Sequence, residues 1–207
     1  MKLFRLTLLM LLPLIAIPSV NAAPLQDGVT YQLITPAQPT SADEGMIEVV
    51  EIFSYGCSHC HRFEAVLDRW LKNKPSNVKF VRLPAIFNGT LAMYARAFYA
   101  AEGLGVLDKI HLSFFEAIHV QKRGMNTEAE IAALFAEHGV SQKDFEKAFR
   151  SFAVEAKVRR AAELGKRYGV QATPSMVVNG KYITDPGKTQ GFQGLIKVVD
   201  SLVKQES

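Results

Sequence analysis

Cysteine is nearly missing from this 207-residue chain: Cys57 and Cys60 are the only two. So small a number excludes the disulfide framework that staples small secreted domains. As a staple, this pair would close a very short loop, and the entropy removed from the unfolded chain would be small. A cysteine-rich metal site is excluded as well. His59 and His61 could join the pair, but ligands packed so closely along one segment do not easily surround one ion, and no second cluster exists. Excess charge is also lacking. The 24 Lys and Arg nearly balance 20 Asp and Glu, for a formal charge of +4, which gives no electrostatic case for nucleic acid. Internal repeats and low-complexity tracts are absent, so a solenoid is not expected. Beyond residue 22 no apolar run is long enough to cross a bilayer.

What is present begins with a targeting segment. Lys2 and Arg5 precede an apolar stretch, Leu8 to Ile17, broken by Pro13, and Val20-Asn21-Ala22 has the small residues of a cleavage site. The stretch is too short and too interrupted for a membrane span, and it reads as a signal peptide over residues 1–22. Losing Lys2 and Arg5 lowers the formal charge from +4 to +2. Hydrophobic residues make up 48% of the chain, ample for a packed core.

The cysteines lie in Glu51-Ile-Phe-Ser-Tyr-Gly-Cys57-Ser-His-Cys60-His61-Arg-Phe63. An apolar run from Ile47 to Phe53 leads in, as a strand buried on both faces would. Phe63, Val66, Leu67, Trp70 and Leu71 lead out at the three- and four-residue steps of an amphipathic helix. The pair therefore sits where a strand ends and a helix begins. Residues three apart on a helix share a side, so the two sulfurs can close a small ring. Cys60 is in register with Phe63, Leu67 and Trp70 and is expected to face the core. Cys57, at the helix start, meets free backbone N–H groups and the positive end of the helix dipole. Those favour its thiolate, the form that attacks disulfides. Cys57 is thus the expected nucleophile and leaving group, Cys60 the resolving thiol, and His59 a source of a donor or positive charge. Glu51 is the one charge in the middle of the apolar run. It needs a partner or a raised pKa, unless it lies at a strand end open to water. Arg82, on the next apolar run, reaches Glu51 if the two strands are neighbours.

Along the rest of the chain, Tyr31 to Ile34 reads as a short edge strand and Thr35 to Gly45 as a loop. Ile47–Phe53, Ser58–Lys72 and Val78–Leu83 have the lengths of a parallel βαβ unit. From Leu91 to Tyr168 only helices are expected, including one begun by the Thr127–Glu130 capping box and one capped by Ser141. So long a helical stretch exceeds one crossover and implies an inserted helical domain. Met176–Val178 and Lys181–Ile183 flank Asn179-Gly180, a strong hairpin signal, and Gly191 to Val203 closes the chain as a helix. The fold class is α/β. The domains expected are residues 1–22, signal peptide; 23–87 and 169–207, two parts of one domain; and 88–168, the helical insertion.

The strand, the Cys57-Ser-His-Cys60 turn, the helix, and Thr173-Pro174 before a hairpin resemble the thioredoxin fold. With the exported context, the Phe-Ser-Tyr-Gly lead-in and the Val-Asn-Gly-Lys-Tyr hairpin, the chain resembles the DsbA family of periplasmic thiol:disulfide oxidoreductases. The resemblance covers essentially the whole mature chain. It implies a redox-active Cys57–Cys60 disulfide with no other cofactor, donated to exported proteins that carry free cysteines. It implies a cis Pro174 beside the disulfide, exposing the Thr173 backbone to an extended substrate. Glu51 matches the family's buried acid, which aids proton transfer at the inner cysteine. Arg82 stands where the family often has lysine, and hardly gives up its proton. Ser58 stands where proline is usual, and Thr173 where many members have valine; Ser58 and Arg82 are the residues expected to tune the couple. The implied partner is a DsbB-like quinone-linked membrane protein, with no nucleic acid and a monomeric enzyme.

Threonine at position 173 also resembles the isomerase and reductase branches, which leaves an isomerase or reductase role as the alternative. A rival from another class is a c-type haem protein, since Cys57-Ser-His-Cys60-His61 fits the haem attachment motif. Met93, Met125 and Met176 are its candidate second ligands. His111, His119 and His138 stand isolated on the helical stretch and read as solvated or packed residues.

Overall fold

A computed structural model describes residues 25–207, and the signal-peptide reading of residues 1–22 lies outside them. Five strands and seven helices are formed among the described residues. In chain order they are β1 (Gln32–Leu33), β2 (Ile47–Phe53), α1 (Ser58–Asn73), β3 (Val78–Pro84), α2 (Gly89–Gly103) and α3 (Leu107–His119). There follow α4 (Glu128–Glu137), α5 (Gln142–Phe149), α6 (Phe152–Arg167), β4 (Ser175–Val178), β5 (Tyr182–Thr184) and α7 (Phe192–Glu206).

The strands form one sheet in the order β1-β5-β4-β2-β3. Strand β2 runs parallel to β3 and antiparallel to β4, so it has a neighbour on each side. All seven of its residues are buried, which is why its sequence is nearly continuous in apolar residues. Successive side chains of a strand point to opposite faces. Accordingly Val49 packs on one face with Phe63, Leu67 and Trp70 of α1 and Val199 and Leu202 of α7. Val50 packs on the other face, with the aromatic and alanine-rich helices α2 to α6.

Cys60 is buried as its register implied, but it does not share a cluster with Phe63, Leu67 and Trp70. It packs instead with Tyr55, Phe98 and Phe115, on the side of the long helical stretch. The first turn of α1 lies at the end of the sheet, where both cores come within reach.

The helix starts follow from side chains that replace missing backbone partners. Asn88, Thr127, Ser141 and Ser151 accept from the amides of Leu91, Glu130, Asp144 and Val154, respectively. Thr127 and Glu130 complete a reciprocal capping box. The β4–β5 turn places Asn179 and Gly180 at φ 50° and 64°, the left-handed pair that a tight hairpin needs. Gly180 serves a second purpose. A Cβ there would run into the carbonyl oxygen of Gln38, whose own N–H donates to the Gly180 carbonyl at 2.9 Å. The proline-bearing arm before β2 is thereby tied to the hairpin. Among the described residues no helix is long and apolar enough to cross a membrane.

Candidate active site

Cys57 is the N-cap residue of α1. Its backbone is extended, and its Sγ accepts the N–H of Cys60 at 3.3 Å, a position in which serine or aspartate oxygens are usual. The turn before it is held by Ser54, whose carbonyl accepts the N–H of Cys57 at 3.0 Å and whose Oγ accepts the N–H of Gly56 at 3.2 Å. Both cysteines are free thiols in this structure, Cys57 half-buried and Cys60 fully buried.

The two sulfurs differ sharply in how readily they lose a proton. The Cys57 pKa is lowered to about 5. The largest cause is the hydrogen bond from the Cys60 thiol, opposed by partial burial and reinforced by the Thr173 hydroxyl and the backbone amides of Cys60 and His59. As a thiol, Cys57 instead donates to the Thr173 carbonyl oxygen at 3.3 Å. Burial pushes the Cys60 thiol far above the ordinary range, and the neighbouring Cys57 sulfur adds to the effect.

Glu51 is wholly buried, which removes the reading that it sits at a strand end open to water. The register pairs it directly with Arg82 of β3, and Arg82 Nε donates to Glu51 Oε2 at 3.1 Å. Glu51 Oε1 is buried with no hydrogen-bond partner. Burial raises the Glu51 pKa to about 8, helped by the charge of Glu64 and resisted by Arg82. Its interaction with both Cys57 and Cys60 places it within electrostatic reach of the pair.

Thr173 and Pro174 lie across from the cysteines, and the peptide bond between them is cis. A second cis bond joins Thr35 and Pro36, a feature with no counterpart in the sequence reading. Beside Thr173 runs an open groove of about 560 Å³, lined by His59, Arg62, Pro174, Pro186 and Phe192 among others. Ser58 and His59 are exposed on the first turn of α1. The ring of His59 makes no hydrogen bond to the Cys57 sulfur among the described residues; its backbone amide is what reaches the thiolate.

Sequence reasoning missed three residues. Glu64 is buried and joins Arg82 Nη2 at 2.9 Å. His111, read as isolated, is buried and bridges Glu64 and Tyr55. His119 is neither solvated nor merely packed: its Nε2 donates to the Tyr55 carbonyl at 2.7 Å, and its ring stacks on His61. A signal was available for two of them. Glu64 falls in the stripe Cys60, Phe63, Leu67, and His111 in the stripe Leu107, Ile110, Phe114, Phe115, at helical spacing. A polar residue in such a stripe is buried and must find a partner.

The haem reading does not fit this geometry. Attachment through both sulfurs needs both to face the macrocycle, and Cys60 has no exposed surface.

Comparison with known proteins points to one family. The DSBA-like thioredoxin domain family matches residues 80–197. That span begins after the two cysteines, so the match is carried by the rest of the fold. A thiol:disulfide interchange protein DsbA of Burkholderia cepacia is 37% identical over 206 residues, covering 99% of this chain and 97% of that protein. The crystal structure of Pseudomonas aeruginosa DsbA superposes with a TM-score of 0.82 at 38% identity, covering 86% of this chain and 93% of that one. DsbA of Proteus mirablis, solved with the non-covalently bound peptide PWATCDS, superposes with a TM-score of 0.71 at 26% identity, covering 89% and 98%.

Proposed function

The chain belongs to the DSBA-like thioredoxin family, and from that premise we propose how its two cysteines work. The protein is a thiol:disulfide oxidoreductase that acts as a disulfide donor. In the oxidised enzyme Cys57 and Cys60 are joined. A substrate thiolate attacks Cys57 Sγ, the Cys57–Cys60 bond breaks, and Cys60 leaves with the bonding electrons. Its high proton affinity draws a proton at once, and Glu51, protonated near neutral pH and within electrostatic reach, supplies it. A second substrate thiolate then attacks the substrate sulfur of the mixed disulfide. Cys57 departs as a thiolate, the substrate has lost two electrons, and the enzyme has gained them.

One observation carries this reading. Cys57 Sγ is the N-cap of α1 and is held as a thiolate down to about pH 5. A stable thiolate is a good leaving group, and a reduced form so stabilised makes a strong oxidant. Thr173 and Pro174 border the open groove beside the sulfur, which suits an extended peptide. The Proteus relative was solved with a peptide, PWATCDS, bound non-covalently. The substrates are exported proteins with free cysteines, the chain is cleaved near Ala22 on export, and a DsbB-like quinone-linked membrane protein returns it to the disulfide form.

The test is a trap. With Cys60→Ala, a peptide carrying a single cysteine, activated as a mixed disulfide with an aromatic thiol, should pass its sulfur to Cys57 with loss of the aromatic thiolate, and the adduct should remain there and be found by mass spectrometry. With Cys57→Ala no adduct should form at Cys60. Adducts at Cys60, or none in either variant, would overturn the assignment.

A further inference from the structure

A chain of buried hydrogen bonds runs from the helical stretch to Glu51. Tyr55 Oη lies 3.0 Å from His111 Nδ1, and His111 Nε2 lies 3.1 Å from Glu64 Oε1. Arg82 then spans the two acids, with Nη2 on Glu64 Oε2 at 2.9 Å and Nε on Glu51 Oε2 at 3.1 Å. The chain joins five segments: the turn after β2, helix α3, helix α1, strand β3 and strand β2. Burial holds His111 below the ordinary imidazole range and raises Tyr55 well above the ordinary phenol range. Near neutral pH the imidazole is therefore neutral and the phenol keeps its proton. The tautomer follows: Tyr55 O–H donates to Nδ1, and Nε2–H donates to the Glu64 carboxylate.

The ring cannot easily turn away from this duty. Phe53, Phe98 and Phe115 surround it edge-on, with centroids 5.2, 6.2 and 5.4 Å from it. The other charged or titratable groups that act on it are Arg82 and Asp108. Those that act on Glu51 are Glu64, Arg82, Cys57, Cys60 and Tyr55.

We propose that His111 is a positioning residue for the redox centre: by fixing Glu64 as a carboxylate turned toward Arg82, it divides the arginine between two acids and leaves Glu51 holding a proton near Cys60. Arg82 cannot neutralise both carboxylates, and the one with a second donor wins. Glu64 has that donor in His111, while Glu51 Oε1 has none. The helical stretch thus sets, through one imidazole, the protonation of an acid on the central strand. This inference rests on the reading of Glu51 as the proton source for Cys60.

The test follows Glu51 itself. A protonated buried carboxyl has a distinct infrared carbonyl band, assigned here by its loss in Glu51→Gln. In the parent protein the band should disappear with a midpoint near 8. In His111→Phe, Glu64 loses its donor and takes up a proton more readily, its like charge is lost, and Arg82 turns wholly to Glu51. The Glu51 midpoint should then fall by about one pH unit or more. His111→Gln, which keeps an N–H donor, should restore it. In a Glu64→Gln background, His111→Phe should have no further effect. If His111→Phe does not fold, His111→Asn, too short to reach Glu64, carries the same expectation. An unchanged midpoint with only a loss of thermal stability would overturn the proposal, as would an equal shift in the Glu64→Gln background. Absence of the band in the parent protein would overturn it together with the role of Glu51. The mixed-disulfide trap at Cys57 does not depend on either and tells that failure apart from failure of the oxidoreductase reading.

Discussion

The backbone amide of Cys60 points at the sulfur of Cys57 from 3.3 Å, so the residue that later receives the electrons also stabilises its partner's negative charge. The Cys60 thiol adds the largest single contribution to lowering the Cys57 pKa. One turn of helix therefore separates the two sulfurs in chemistry while keeping them in reach of a bond. The outer one is anionic at neutral pH, and the inner one protonated.

The potential should respond to pH in two regimes. Between pH 5 and the much higher pKa of Cys60, reduction takes up one proton, because Cys57 stays a thiolate. Below about pH 5 it takes up two. For a two-electron couple each proton contributes about 30 mV per pH unit. The slope of potential against pH, measured by equilibration with glutathione, should steepen from about 30 to about 60 mV per unit as pH falls through 5. A slope of about 60 mV throughout neutral pH would mean Cys57 is an ordinary thiol there.

Two substitutions should raise the Cys57 pKa. Cys60→Ala removes the thiol donor, and Thr173→Val removes the hydroxyl donor. Neither should return it fully to the ordinary value of about 8.5, since the Cys60 and His59 amides remain. Thiolate absorbance followed against pH reads both. Thr173→Val should also make the couple less oxidising.

The reduced protein should gain stability from Cys57 only above acid pH. The folded value, about 5, lies below the unfolded value. The contribution is therefore complete above the unfolded pKa of about 8.5 and is lost as pH falls through about 5. The difference in melting temperature between the reduced parent and Cys57→Ser should shrink steadily across that window and vanish below it. A difference that grows on acidification would contradict the sign.

Removing Arg82 should cost more than removing its partners. Arg82→Met leaves the Glu64 carboxylate buried without its guanidinium and takes the hydrogen bond from Glu51, a loss of about 3–5 kcal/mol in comparable buried pairs. Adding Glu64→Gln should recover part of it by removing one uncompensated carboxylate. Denaturant unfolding of the parent and the two variants measures this, and a loss under about 1 kcal/mol for Arg82→Met would show that water screens the pair.

The site was half legible in the chain. Two cysteines between an apolar strand and an amphipathic helix announce their own chemistry, because their spacing is local and helix-start electrostatics are general. Glu51 was conspicuous as one charge in an apolar run, and Arg82 followed once two strands were set side by side. Glu64 and His111 were not found, although both fall on apolar stripes. Their meaning depends on α3 packing on α1, a contact between residues 47 apart that no local pattern encodes. The same limit explains Cys60, whose burial was foreseen from helical register but whose packing partners were not. Which core a residue joins is decided by where the sheet ends, and register alone is silent on that.

The most direct measurement is a pH titration of the thiolate of Cys57 in the reduced protein, by its ultraviolet absorbance, with Cys57→Ser as the blank. A midpoint near 5 is expected. A midpoint near the ordinary thiol value of about 8.5 would contradict a disulfide donor built on a stabilised thiolate at the start of a helix.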